Sequence, residues 1–108
     1  MKNNLTIKEL NKELIEFEKD NWLIGNDIIK KTRHISLHLG KLLGKISEVT
    51  ERREHGFEPD LSLLKKEVVP DLLIYALQLS NLYKINLQTA FFKRLEHNKK
   101  RVKSWKKK

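Results

Sequence analysis

The sequence is notable first for what is scarce. It has no cysteine, which excludes disulfides and thiolate metal sites and agrees with a reducing compartment. Four glycines and two prolines leave little material for turns, so few loops and long helices are expected. No apolar run approaches the roughly 20 residues that span a bilayer, and no apolar signal core follows the N-terminal Met-Lys-Asn-Asn. The expected location is the cytoplasm. Acid is absent from residues 99–108, which carry seven of the nine excess positive charges in a net +9. The body is therefore nearly balanced. At 108 residues, with 39% hydrophobic and 34% charged side chains, the chain suits one domain over residues 1–98 followed by a basic tail over 99–108.

The residues present supply helix signals at each expected end. Thr6 and Glu9 form a capping box ahead of Ile7, Leu10, Leu14, Ile15 and Phe17, predicting a helix from Ile7 to Asp20. Trp22 in the following break is expected to pack back on the core. Asn26 or Asp27 caps a second helix, Ile28 to Glu54, with an apolar stripe of Ile35, Leu39, Leu42, Leu43, Ile46 and Val49. Ser36, Gly40, Gly44 and Ser47 form a separate stripe of small residues. Interior glycine costs about 1 kcal/mol against alanine, so this stripe implies close approach by another helix, across a dimer interface or within the chain.

Gly56 and Pro59 end the second helix, and Asp60 opens a third from Leu61 to Tyr83. Its apolar residues Leu64, Val68, Leu72, Leu73, Tyr75, Ala76, Leu79 and Leu82 leave few polar sides, so it is expected to be the most buried. Pro70 should bend it. Asn86 caps a fourth helix with Leu87, Ala90, Phe91 and Leu95 inward, fraying into the tail. With no convincing strand, the predicted fold is all-α, an antiparallel four-helix bundle. The apolar surplus on the second and third helices implies completion as a homodimer or higher homo-oligomer.

Three segments in order carry a family resemblance: Lys41-Leu-Leu-Gly44-Lys-Ile-Ser-Glu48, Glu67-Val-Val-Pro-Asp71-Leu-Leu, and Asn86-Leu-Gln-Thr-Ala90 running on to Leu95-Glu-His-Asn98-Lys-Lys-Arg101. The chain over about residues 22–101 resembles the MazG-like all-α nucleotide pyrophosphohydrolases. The resemblance implies a MazG-like bundle, Mg²⁺ held by carboxylates on facing helices, and hydrolysis of a nucleoside triphosphate to monophosphate and pyrophosphate. It also implies a homodimer, and phosphate contacts from Lys93, Asn98 and Arg101.

The departures from the family pattern are specific. The two pairs of metal ligands fall on Leu42 with Lys45 and on Val68 with Asp71, so only Asp71 is an acid. A displaced Mg²⁺ site would use Glu48, Glu67 and Asp71; the favoured reading pairs Glu48, Glu51 and Glu54 with Lys45, Arg52 and Arg53 on a solvated face. His34 and His38, one turn apart, could chelate Zn²⁺ or Ni²⁺ with Glu67 and Asp71, or simply border a helix contact. Ile35 after His34 excludes the metalloprotease motif, and Gly40 to Ile46 is one residue short of a P-loop and lacks its Ser or Thr.

Two further readings accompany the enzyme. One is a non-catalytic helical binding or assembly module. The other is a small nucleic-acid-binding protein acting through residues 99–108, where Lys and Arg would hold phosphates and Trp105 stack on a base. The same tail could rest on an anionic membrane or serve only as a solubilising end.

Overall fold

The structure is a computed structural model that describes residues 4–21 and 26–106. The expectation for Trp22 lies outside the described residues. Every regular element among those described is helical. Helix α1 is Ile7–Asn21, α2 is Ile28–Glu54, α3 is the single turn Leu61–Leu63, α4 is Val69–Leu82 and α5 is Leu87–Lys106. A π-helical segment, Leu64–Val68, joins α3 to α4 without a break.

The helix ends form where the sequence places them. Thr6 Oγ1 accepts from the Glu9 amide while a Glu9 carboxylate oxygen accepts from the Thr6 amide, closing the capping box before α1. The Asp27 carboxylate accepts from the amides of Ile29 and Lys30 and starts α2. Asp60 accepts from Leu63, and Asn86 from Thr89, at the next two starts. Helix α2 ends in a Schellman motif: Phe57 N–H reaches Arg52 C=O at 2.9 Å and Gly56 N–H reaches Arg53 C=O at 3.1 Å. Gly56 has φ +84°, a left-handed conformation that needs a residue without a Cβ.

Pro70 lies in the first turn of α4, directly after the π-helical segment. In a regular helix its ring would meet the carbonyl of Lys66, four residues earlier. The wider turn relieves that crowding, and Val69 N–H instead reaches back five residues to Leu64 C=O. The proline therefore locates a π turn.

The packed centre is small. Helix α2 lies along the π segment and α4, and the buried apolar side chains are Ile35, Leu42 and Val49 on α2 with Val68 and Leu77 on the opposing stretch. Leu39 and Ile46 of the predicted stripe are half-buried, while Leu43 at its margin is 60% exposed. Helix α1 is tied to α4 by reciprocal amide bonds between Asn11 and Asn81, both 2.8 Å.

The third helical stretch holds the most buried residues, Val68, Leu77, Gln78 and Ser80, as expected, while Val69, Leu73 and Ile74 stay exposed. Two expectations change, both on α5. Phe91 and Leu95 of α5 are exposed rather than inward, and α5 has no buried residue. It also does not fray at residue 99 but stays helical through Lys106. At Gly40 and Gly44 of the small-residue stripe an added Cβ would meet no atom within 4 Å, so no helix among the described residues makes the close approach those glycines permit.

The dimensions agree with this openness. The radius of gyration is 17.3 Å, against about 13 Å for a compact domain of this length. The accessible surface is 9255 Å², against roughly 6300 Å² for a folded monomer of this mass.

Candidate functional site: a polar seam between α2 and α4

On α2, His34, His38, Lys41, Lys45 and Glu48 recur at alternating steps of four and three residues, which keeps them on one side of the helix. Glu67, Asp71 and Tyr75 recur at steps of four along the opposing stretch. Because α2 and α4 lie together, the two lines form a polar seam beside the apolar contact.

At one end the seam is aromatic. The rings of His34 and His38 meet edge to face with centroids 4.4 Å apart. His38 then stacks on Tyr75, with centroids 5.6 Å apart and planes 20° from parallel. The His38 pKa is lowered, first by burial and then by the positive fields of His34 and Lys41, while Asp71 pulls it up. The Tyr75 hydroxyl is raised by burial and by Asp71, against an opposing pull from Lys45.

At the other end the seam is ionic. The Lys45 ammonium donates to a Glu67 carboxylate oxygen in a partly exposed ion pair. That hydrogen bond is the main reason the Lys45 pKa is raised, with the fields of Glu67 and Asp71 adding to it against a burial penalty. Glu48 is exposed and lines an adjoining groove with Lys45, Arg52 and Asp60, so its surroundings carry both signs of charge.

The seam thus gathers some expected site residues and separates others. His34, His38 and Asp71 share one end, Lys45 and Glu67 pair at the other, and Glu48 sits beyond them. Among the described residues, no three His, Asp or Glu side chains form a group able to hold a metal ion. The donor set does not fit Mg²⁺, because an ammonium occupies the carboxylate of Glu67. Two positions where the resemblance requires ligand acids are core: Val68 is 0% exposed and Leu42 is 4% exposed.

The three residues expected at phosphates lie on α5. Lys93 and Arg101 are exposed, and the Arg101 guanidinium lies over the Trp105 ring, 5.1 Å from its centroid. Asn98 is half-buried, and its Oδ1 has no hydrogen-bond partner among the described residues. Lys93 and Asn98 point about 140° apart around the helix axis, so they do not share a face.

Tyr75 was readable only as a core aromatic in the sequence. Its spacing of four from Asp71 was the available signal, but stacking on His38 requires the antiparallel pairing of α2 with α4. Comparison with family models, with curated proteins and with solved structures finds no match to this chain.

Proposed function

We propose that this chain is a non-catalytic assembly module, built on a MazG-like frame, that completes an antiparallel four-helix core with a second copy of itself. The observation that carries the reading is the fate of the ligand positions. Leu42 and Val68 are packed in the core, and Lys45 neutralises Glu67. Restoring acids at 42 and 68 would bury charge, which the fold disfavours strongly unless it is paired.

The second copy follows from the uncovered apolar surface. Leu37 and Leu43 are 58% and 60% exposed on α2, next to the open space at Gly40 and Gly44. The surface in excess of a compact monomer is roughly 2900 Å² per chain, at least as much as one partner contributes to an obligate interface. A helix from another copy could approach the glycine face closely while covering both leucines.

Two measurements test this. Sedimentation equilibrium is expected to give a dimer or larger assembly. Incubation with a panel of nucleoside triphosphates and Mg²⁺ or Mn²⁺ is expected to release no pyrophosphate. Turnover that Asp71→Ala abolishes would establish the pyrophosphohydrolase reading instead, and a monomer at all concentrations would overturn the assembly.

A further inference from the structure

Helix α5 has two properties that self-assembly through α2 leaves unused. The first is an apolar stripe. Leu87, Phe91, Leu95, Val102 and Trp105 fall within about 80° of the helix circumference, interrupted only by Asn98. Phe91 and Trp105 are each 58% exposed, Leu95 and Val102 each 39%. The second is charge: α5 carries Lys93, Arg94, Lys99, Lys100, Arg101, Lys103 and Lys106 against one acid, Glu96.

The two properties are arranged together. At 100° per residue, Arg94 and Arg101 border the stripe on one side, and Lys99 and Lys106 border it on the other. Long basic side chains at such borders can keep their charges in the headgroup layer while their stems lie along apolar surface. Arg101 over Trp105 places an aromatic ring and a cation together, as suits the boundary between headgroups and acyl chains. At 20 residues the helix is about 30 Å long, and it is not apolar enough to cross a bilayer. It can lie along one.

We propose that α5 is an interfacial helix that docks the protein on an anionic lipid bilayer, its apolar stripe entering the headgroup boundary and its lysines and arginines meeting lipid phosphates. Charge selects this occupant over a second α5, which would set bases against bases. The apolar stripe selects it over nucleic acid, which would engage the bases and leave Leu95, Val102 and Trp105 in water.

The test uses the full chain and co-sedimentation with two vesicle types, phosphatidylcholine alone and phosphatidylcholine mixed with phosphatidylglycerol. Binding is expected only to the mixed vesicles and should weaken as salt screens the bases. Charge reversal by Lys99→Glu with Lys103→Glu is expected to lower partitioning more than about tenfold. Val102→Asp, which removes no base, should also release the protein, with helicity checked by circular dichroism. In a Trp22→Phe background, Trp105 fluorescence should shift to the blue on mixed vesicles.

Three outcomes overturn the proposal. One is absence of binding to mixed vesicles, or equal binding to both types. Another is binding to a single-stranded RNA homopolymer with no vesicle binding. The third is a Val102→Asp protein that still binds vesicles but no longer self-associates, which would assign the stripe to a second copy.

Discussion

At the scale of single residues, His38 shows how the seam converts packing into pH dependence. Its imidazole is held below its ordinary value of 6.5 by burial and by His34 and Lys41, more than Asp71 can offset. The stacked Tyr75 adds bulk but no charge in this range. In the unfolded chain His38 takes its proton near pH 6.5, whereas the folded chain takes it only at lower pH. The unfolded state therefore binds more protons as pH falls through 6.5, and stability present at neutral pH declines. The urea midpoint is expected to drop between about pH 7.5 and pH 5.5, with His38→Gln showing a shallower dependence. An identical slope in the two proteins would exclude His38 as the source. The spacing of His34 and His38 was visible in the sequence, and so was the line of Glu67, Asp71 and Tyr75. What was not visible was that Lys45 reaches Glu67, because side-chain pairing across two helices depends on their register, which no local pattern encodes.

Individual helices follow closely from local chemistry, and their ends most closely of all. Asp27, Asp60, Asn86 and the Thr6–Glu9 box each bind the amides their positions imply, since a cap needs only a side-chain acceptor and two or three following residues. Gly56 is equally local. Gly56→Ala would force a Cβ into the left-handed region and is expected to cost about 1 kcal/mol, read as a lower midpoint of urea unfolding. No loss would mean that the α2 terminus adopts another ending. The orientation of α5 was the harder matter. Leu87, Ala90, Phe91 and Leu95 have the spacing of an inner face, but an amphipathic pattern states only that a stripe wants cover, not which surface covers it. Among the described residues, Phe91 and Leu95 remain exposed.

For the whole molecule, all-helical character was legible in the scarcity of glycine and proline and in the 3.6-residue periods. Closure was not, because compactness depends on how many helices share one core. Among the described residues only five apolar side chains are buried, Ile35, Leu42, Val49, Val68 and Leu77. Stability that rests on a second copy must follow mass action, so the melting temperature is expected to rise with protein concentration. For the proposed dimer, Leu43→Glu should raise the dissociation constant at least about tenfold, equivalent to about 1.4 kcal/mol, while leaving the buried Ile35, Leu42 and Val49 in place. A melting temperature independent of concentration would show that one chain is sufficient.

The π turn beside Pro70 has a consequence for how the long third rod meets α2. Leu63 shares a groove with Lys45 and Arg52, while Tyr75 stacks on His38, so both ends of the rod address the same side of α2. Twelve regular helical residues would leave Leu63 and Tyr75 about 120° out of phase, whereas absorbing one extra residue brings them to about 20°. The wide turn is thus a phase corrector. A chain one residue shorter between Leu63 and Glu67 would reach the same phase as a regular helix, eleven residues giving about 20°, so the wide turn is what lets the longer spacing keep the alignment.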